Sequence, residues 1–422
     1  MRLEIFRGSG WLMLGVALAA AACSPGAVAA PELPRTGPNP RQVDLIFSNL
    51  PGSSFHEVSP REWDFAAPHH LRPCCILGYG LRVELGSVPL PGVRLANIVE
   101  PDRIGRHSYD PSAMAFDNGI DNGFLSPEIN GLTYTCRGGF IDIAHVRDYA
   151  DWTVYLTGRV EALLDSGGVV ELPAEGGQRF VYVVAPGDLL IERVGRRDLA
   201  IVLAQWLAFQ LSIWHETATW YHWSTWSAFS EEASAFSPED FYSNMVGINI
   251  AGEIIRTSSV VTKRQYDRNM SPAIDIVLRR LGAMPAIGTR YAADSVDGTW
   301  WDSTQRLPSK GLLLRRNFNV GPLLVPWTVP RRLYTDGMKA AVESYCDGAG
   351  GAAALVAADS VEGIPIRNLV RLDVRVDPRV ARSIPSSAGP GRWMSQDDVV
   401  ALVAVAHAEN AREFGPRADR PD

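Results

Sequence analysis

The chain runs to 422 residues with 46% hydrophobic residues and a formal net charge of −7 at pH 7, enough apolar material to bury a sizeable core. Its 40 Lys and Arg stand against 47 Asp and Glu with no basic block, which argues against nucleic acid as the main partner. At roughly 150 residues per domain, the length suits one large domain or two intimate ones.

The N-terminus carries Arg2 and Arg7, an apolar run over 11–22, then small residues and prolines, the order of a signal peptide. The run is shorter than the ~20 residues a helix needs to span a bilayer, so no permanent span is expected there. Two processing routes fit. Ala20-Ala21-Ala22-Cys23 resembles a bacterial lipobox with Cys23 as the lipidated residue, although Ala20 stands where Leu is usual; the other route is ordinary cleavage after Ala27-Val28-Ala29 or at Ala30. The lipoprotein route is favoured. It predicts a signal peptide over 1–22, a proline-rich tether over 23–51, and a periplasmic or outer-membrane-anchored protein held by its lipid. A single large α+β domain is expected over 52–422, with a sub-boundary near 285–310.

Residues 74–99 read as short strands. Leu81-Arg82-Val83-Glu84-Leu85 alternates, and Gly86, Pro89, Pro91 and Gly92 punctuate it,. The stretch 101–131 is rich in Asp, Asn, Gly, Ser and Pro and is expected to be a long loop. Gly138-Gly139 opens a predicted helix over 140–164, closed by Gly167-Gly168, and a strand follows over 179–184,. Asp198 is the expected N-cap of a helix reaching about residue 220. That helix is interrupted by Gln205 and Ser212 and followed by His215 and Glu216, so it is predicted to lie in the core rather than in a membrane.

Ser237-Pro238-Glu239-Asp240 has the order of a helix start,, and the helix is expected to reach about 254. Another is expected from Ser271-Pro272 to Gly282, an apolar strand over 369–376, and a last helix from Ser395. The predicted architecture is α+β, a helical centre with peripheral short antiparallel strands and long loops. Four cysteines besides Cys23, namely Cys74, Cys75, Cys136 and Cys346, allow three pairings. Adjacent cysteines rarely bond each other, so a Cys74–Cys136 disulfide is expected. A thiol nucleophile at Cys136, at a helix start that would lower its pKa, ranks behind that disulfide.

Two clusters could carry chemistry. His215-Glu216 on a helix is similar to the zinc-peptidase motif, but Thr219 stands where the second histidine belongs,. His222 lies two turns beyond His215 and shares its face if the helix continues. Gln205, Ser212, His215 and Thr219 form a polar stripe that must find partners, since an unpaired buried polar group costs ~1–3 kcal/mol. The second cluster is Asp142, His145 and Asp148, spaced as neighbours around one helix.

Each has a plain structural reading: a satisfied buried network for His215, and for the other a capping acid with exposed ion pairs of little value. Taken together, two core helices can aim both clusters at one point, as histidine–carboxylate metal sites in bundles do. The expected ligands are His145, Asp148 and His215, with Glu216 as base or further ligand. Asp142, His222 and Glu232 are further candidates, and zinc is the expected metal. Glu231 reads as a solvated acid and Asp240 as a first-turn acid facing the helix dipole. Trp214, Trp220, Trp223 and Trp226 read as packing more than as a sugar-stacking platform. The functional expectation is a metal-dependent hydrolase acting on an envelope substrate; the alternative is a non-catalytic envelope lipoprotein that binds a polymer or protein partner.

Arg72-Pro73-Cys74-Cys75, the run from Gly131 to Asp142 with Gly138-Gly139-Phe140-Ile141-Asp142 at its end, and Ala144-His145-Val146-Arg147-Asp148 carry a family resemblance. It continues in Trp214-His215-Glu216, Ser237-Pro238-Glu239-Asp240-Phe241-Tyr242-Ser243-Asn244 and Asp297-Gly298-Thr299-Trp300-Trp301-Asp302. On these residues the chain resembles the uncharacterised exported bacterial family called domain of unknown function 4056. The resemblance covers most of the mature chain and implies no particular activity, cofactor or catalytic residue.

Overall fold

The structure, a computed structural model, describes residues 46–50, 63–73, 75–85, 88–111, 128–225, 230–258, 261–385, 392–416 and 420. The expected signal peptide, Cys23, most of the tether, Cys74 and Trp226 lie outside the described residues. Helices α1 (Ile143–Leu163), α2 (Asp188–Val194), α3 (Arg196–Trp220), α4 (Asp240–Thr257), α5 (Lys263–Leu281), α6 (Ala286–Ser295), α7 (Asp336–Tyr345), α8 (Pro378–Ser383) and α9 (Gln396–Phe414) dominate. None is long and apolar enough to cross a membrane. The α+β class with a helical centre holds.

The centre is α1, α3 and α4 packed on one another, each buried on nearly all sides. That is the pattern of core helices rather than of surface helices with one apolar stripe. Asp142 starts α1: its backbone is extended and its carboxylate accepts from the amides of Ala144 and His145. The first residues of the helix predicted over 140–164 instead form a strand. Asp198 lies inside α3, whose cap is Gly195 at φ 88. The helix expected from Ser271 begins a full two turns earlier, capped by Thr262, with Pro272 inside it. The hydroxyl of Ser271 accepts from the His107 amide and does not cap. The final helix starts at Ser395 as predicted, in a capping box with Asp398.

Around this centre lie small sheets. Strands β1 (Leu81–Leu85), β2 (Val88–Leu95), β3 (Leu132–Thr135), β4 (Gly139–Asp142), β5 (Gly168–Leu172), β6 (Gly177–Val183) and β7 (Arg306–Leu307) are followed by two-residue strands, among them β8 (Leu323–Leu324) and β9 (Leu355–Val356). Next come β10 (Ser360–Val361), β11 (Ile364–Pro365), β12 (Val370–Val376) and β13 (Trp393–Met394). The largest sheet has the order β13-β12-β6-β5, antiparallel throughout. Along β6 and β12 buried residues alternate with more exposed ones, as in a sheet with one face on the core. The β3–β4 hairpin divides two cores: Ile141 joins the large helical one, while Leu132, Tyr134 and Phe140 join a second built on Trp300, Trp301 and Leu312.

The cysteine pairing differs from expectation. Cys136 is bonded to Cys346, 210 residues further on, and Cys75 is a buried free thiol. The Cys74–Cys136 pairing is thereby corrected. The end of β3 is held by the turn after α5, where Cys136 and Arg137 donate to Gly282 and Leu281 carbonyls. That turns Cys136 toward the end of α7, a juxtaposition that sequence spacing cannot reveal.

Two features fix the position of α1. The first is Gly247 of α4: a Cβ there would lie 1.9 Å from the Val146 carbonyl oxygen. The second is a buried ion network on another side of the helix. Arg72 donates to Glu128 at 2.6 and 2.9 Å, to Asp148 at 2.6 Å and to Asp151 at 3.1 Å. Arg147 lies 3.7 Å from Glu128 and donates to Asn130 and to the Ile104 carbonyl. Three carboxylates thus face two guanidiniums. Burial pushes Asp148 up to about 8 against the pull of Arg72, so a proton on that acid leaves the group close to neutral. Glu128, although buried, is held well below the ordinary carboxylate range by Arg72 and Arg147.

Two tests follow from these contacts. Gly247→Ala should cost about 1–3 kcal/mol through overpacking of α1 against α4, read as a lower midpoint in urea unfolding. Arg72→Met should cost about 3–5 kcal/mol by baring buried charges. The stability Glu128 contributes is present above its ordinary value of 4.5 and is lost as pH falls,. In the variant the bared acids instead regain stability as they protonate, so the difference between the two proteins should narrow in unfolding curves taken below pH 4.5.

Candidate metal centre

The start of α1, the end of α3 and the start of α4 meet in one buried polar cluster. His145 Nδ1 lies 2.8 Å from the side-chain oxygen of Asn244. With Asn244 turned this way Nδ1 is the donor, and Nε2 presents its lone pair, the form in which imidazole binds a metal. That Nε2 is 3.6 Å from Asp240 Oδ1 and 3.8 Å from Asp142 Oδ2, too far for hydrogen bonds. The ring of His215 stands edge-on to that of His145, with centroids 5.9 Å apart. His215 Nδ1 meets Glu175 Oε1 at 2.6 Å, and Glu175 in turn pairs with Arg179.

Backbone amides hold one oxygen of Glu216 and of Asp240, and both oxygens of Asp142. Phe236 donates to Glu216 Oε2 at 2.8 Å, Ser237 to Asp240 Oδ2 at 2.7 Å, and Cys75 to Asp142 Oδ2 at 3.0 Å. The opposite oxygens of Glu216 and Asp240, together with His145 Nε2, are buried without a hydrogen-bond partner among the described residues. Orphaned atoms of this kind are uncommon in native interiors and need a cause. Here all three are metal-ligating atoms. His145, His215 and Glu216 can bring their ligand atoms within 4.8 Å of one another, and so can Asp142, His145 and Asp240. Ligands tetrahedrally arranged at zinc's bond lengths sit about 3.4 Å apart, close to the separations around His145 Nε2.

The charges point the same way. Burial raises Asp142 above its ordinary value, against the pull of His145. Burial also drives Asp240 well up, reinforced by Glu216, Glu239 and Asp142, and pushes Glu239 up to about 8. Burial opposes a proton on His215, but Glu175, by hydrogen bond and charge, outweighs it and brings the imidazole up to about 9. The guanidinium of Arg316 donates to the carbonyls of Ala235, Ala233 and Lys310 and is pushed down to about 10 by burial. The cluster therefore holds more acid than its cations balance, and a divalent cation would relieve the excess.

Of the residues singled out from sequence, His145, His215, Glu216 and Asp142 come together. Asp148 does not: it lies on another side of α1, held by Arg72 through both carboxylate oxygens, which removes it from the expected ligand set. His222 does not either, because α3 ends at Trp220 and His222, at φ 70, is exposed and paired with Glu232. The roles of the adjacent acids are reversed. Glu231 is half-buried, accepts from the Thr225 amide at 2.7 Å and interacts electrostatically with His215.

Sequence reasoning missed Glu175, Asn244 and the inward role of Asp240. Asp240 and Asn244 stand one turn apart at the start of an otherwise apolar helix, a readable signal. Glu175 lies in the β5–β6 turn and gave none.

The family described as protein of unknown function (DUF4056) matches residues 63–330, well over half of the chain. The chain belongs to the DUF4056 family. The DUF4056 match takes in every residue of the cluster, the Arg72 network and the β3–β4 hairpin, and ends before Cys346 and β12. No curated protein and no solved structure matched the chain.

Replacing Asp240 by Asn should raise the melting temperature of the metal-free protein by roughly 1 kcal/mol of stability, since a neutral isostere removes one of several crowded buried carboxylates. Because burial lifts Asp240 far above its ordinary 3.8, the metal-free protein should lose stability as pH rises from 3.8, and Asp240→Asn should flatten that loss. Calorimetry over a pH series measures both.

Proposed function

We propose that this DUF4056 protein binds one divalent transition metal, zinc by its donor set, through His145, His215, Glu216, Asp142 and Asp240, and that it hydrolyses an envelope substrate there. The observation that carries the reading is that His145, with Nε2 orphaned, is shared by two sets of ligand groups, one with His215 and Glu216 and one with Asp142 and Asp240, in which Glu216 Oε1 and Asp240 Oδ1 are also orphaned. The donor chemistry favours catalysis over a purely structural ion. Structural zinc sites are closed and rich in cysteine, whereas catalytic ones use histidine and carboxylate and keep a position open. A bound ion would supply Lewis acidity and a water activated near neutral pH.

The chain's own residues prepare for that. Asn244 fixes the tautomer and ring of His145, and Glu175 orients His215, as outer partners of ligating histidines do. Glu216, with Oε2 held by Phe236, offers only Oε1 and reads as a ligand rather than as the base. Because His215 is raised to about 9, an ion must displace its proton, so uptake should weaken as pH falls below 9.

The envelope setting rests on the signal-like N-terminus, in which Cys23 is the expected lipidation residue, and on the Cys136–Cys346 disulfide, which suits an oxidising compartment. A second reading, a non-catalytic envelope lipoprotein that binds a polymer or protein partner, is favoured by burial. His145 and His215 are each only 3% exposed.

Metal-free protein titrated with zinc should take up about one equivalent. Glu175→Gln should weaken binding by about 10–100-fold, and alanine at His145 or His215 by more. Isothermal titration with metal analysis reads all three. Undiminished zinc affinity in both histidine variants, or no uptake by the native chain, sinks the metal reading. Uptake without any hydrolysis of envelope preparations favours the binding-protein alternative.

A further inference from the structure

A cleft of about 740 Å³ lies against the outer side of the cluster. Its walls are the β5–β6 turn (Ala174, Gly176–Gln178), the turn after α3 (His222–Ser224) and the end of β12 with the start of α8 (Arg375–Val380). These walls are joined: Gly177 pairs with Val376, and Asp377 donates its amide to the Gly176 carbonyl. Glu175, the partner of His215, sits between two lining residues. Trp223, half-buried, packs its ring edge-on against His215 with centroids 5.7 Å apart. One side chain therefore separates the cleft from a cluster histidine.

The cleft has a charge sign of its own. Arg375 and Arg379 are exposed on one wall, and among the described residues neither guanidinium has an acidic partner. The acid beside them, Asp377, already accepts from the Arg379 amide at 2.7 Å as the cap of α8. His222 on the opposite side is paired with Glu232. Unengaged guanidiniums at a concave surface match the planar oxygens of a carboxylate or phosphate, and a nearby aromatic ring suits the less polar body of the same ligand.

We propose that this cleft is the substrate site of the cluster, that Arg375 and Arg379 hold an anionic group of the substrate, a carboxylate or a phosphate ester, and that Trp223 is the partition a reacting bond must pass. The proposal rests on the metal reading above. It adds the substrate class and names a positioning residue outside the ligand set.

The test uses the mature chain with and without zinc, titrated separately with succinate and with inorganic phosphate and followed by tryptophan fluorescence. Saturable binding is expected, and the tighter of the two probes identifies the source of the anion. Arg375→Ala with Arg379→Ala should weaken it by about tenfold or more, as lost hydrogen bonds to charged groups do, without changing zinc stoichiometry. Trp223→Ala should speed zinc removal by a chelator by about tenfold, the effect of lowering an access barrier by 1.4 kcal/mol; Trp223→Phe, which keeps a ring in place, should not. Failure of both anions to bind saturably, or binding that ignores the double variant, overturns the cleft proposal even if zinc binds stoichiometrically. Anion binding by a chain that takes up no zinc overturns the coupling to the cluster, and the zinc measurement assigns that failure to the metal reading.

Discussion

The contact between Gly247 and the Val146 carbonyl sets the geometry of everything at the centre of this protein. Any side chain at 247 would hold α4 away from α1. Without one, the backbones touch, and the residues just before the contact on each helix are brought face to face. His145 precedes Val146, and Asn244 and Asp240 lie one and two turns before Gly247. The 2.8 Å contact from His145 to Asn244 and the 3.6 Å approach to Asp240 are consequences of that missing Cβ. α3 then closes the third side with His215 and Glu216.

One helix serves two buried charge systems of opposite character. Around Arg72 the acids are engaged at hydrogen-bond distance, and a single retained proton brings the group near neutrality. Such a network pins the segment around Arg72 and the loop carrying Ile104 and His107 to α1. Around His145, Glu216 and Asp240 are anchored by one oxygen each while ligand atoms remain unmatched. In the first the carboxylate oxygens are all engaged; in the second carboxylate oxygens and an imidazole nitrogen are left over, and such atoms need a cause,. The two arrangements lie within a few residues of each other on the same helix.

Much of this was legible in the sequence. The apolar run of α3, the Ser237-Pro238 start and the Ser395 capping box announce their helices, because local hydrogen bonding and periodicity suffice to form them. The pairing of His145 with His215 was readable as two polar interruptions on core helices. What was not readable depended on distance in the chain. Asp148 and Asp142 are equivalent by spacing from His145, and only the arrival of Arg72 and Cys75 from elsewhere decides which of them faces which network. Glu175 is an ordinary loop acid until β6 pairs with β12 and brings its turn under His215. The Cys136–Cys346 bond likewise needs α5 and α7 in place before its partners meet. The start of α5 was misread because Ser271-Pro272 imitates a cap, whereas the serine hydroxyl is occupied by His107.

The border of the family match runs between the cluster and one wall of the cleft. Among the described residues, the His145 cluster lies within 63–330, while Arg375–Val380 belongs to a strand and helix that follow. The β6–β12 ladder, seven residue pairs in unbroken register, is the seam joining the two. Seven consecutive residue pairs tie a strand beyond the family region to the turn that carries Glu175, so a change of register there would be passed directly to the partner of His215.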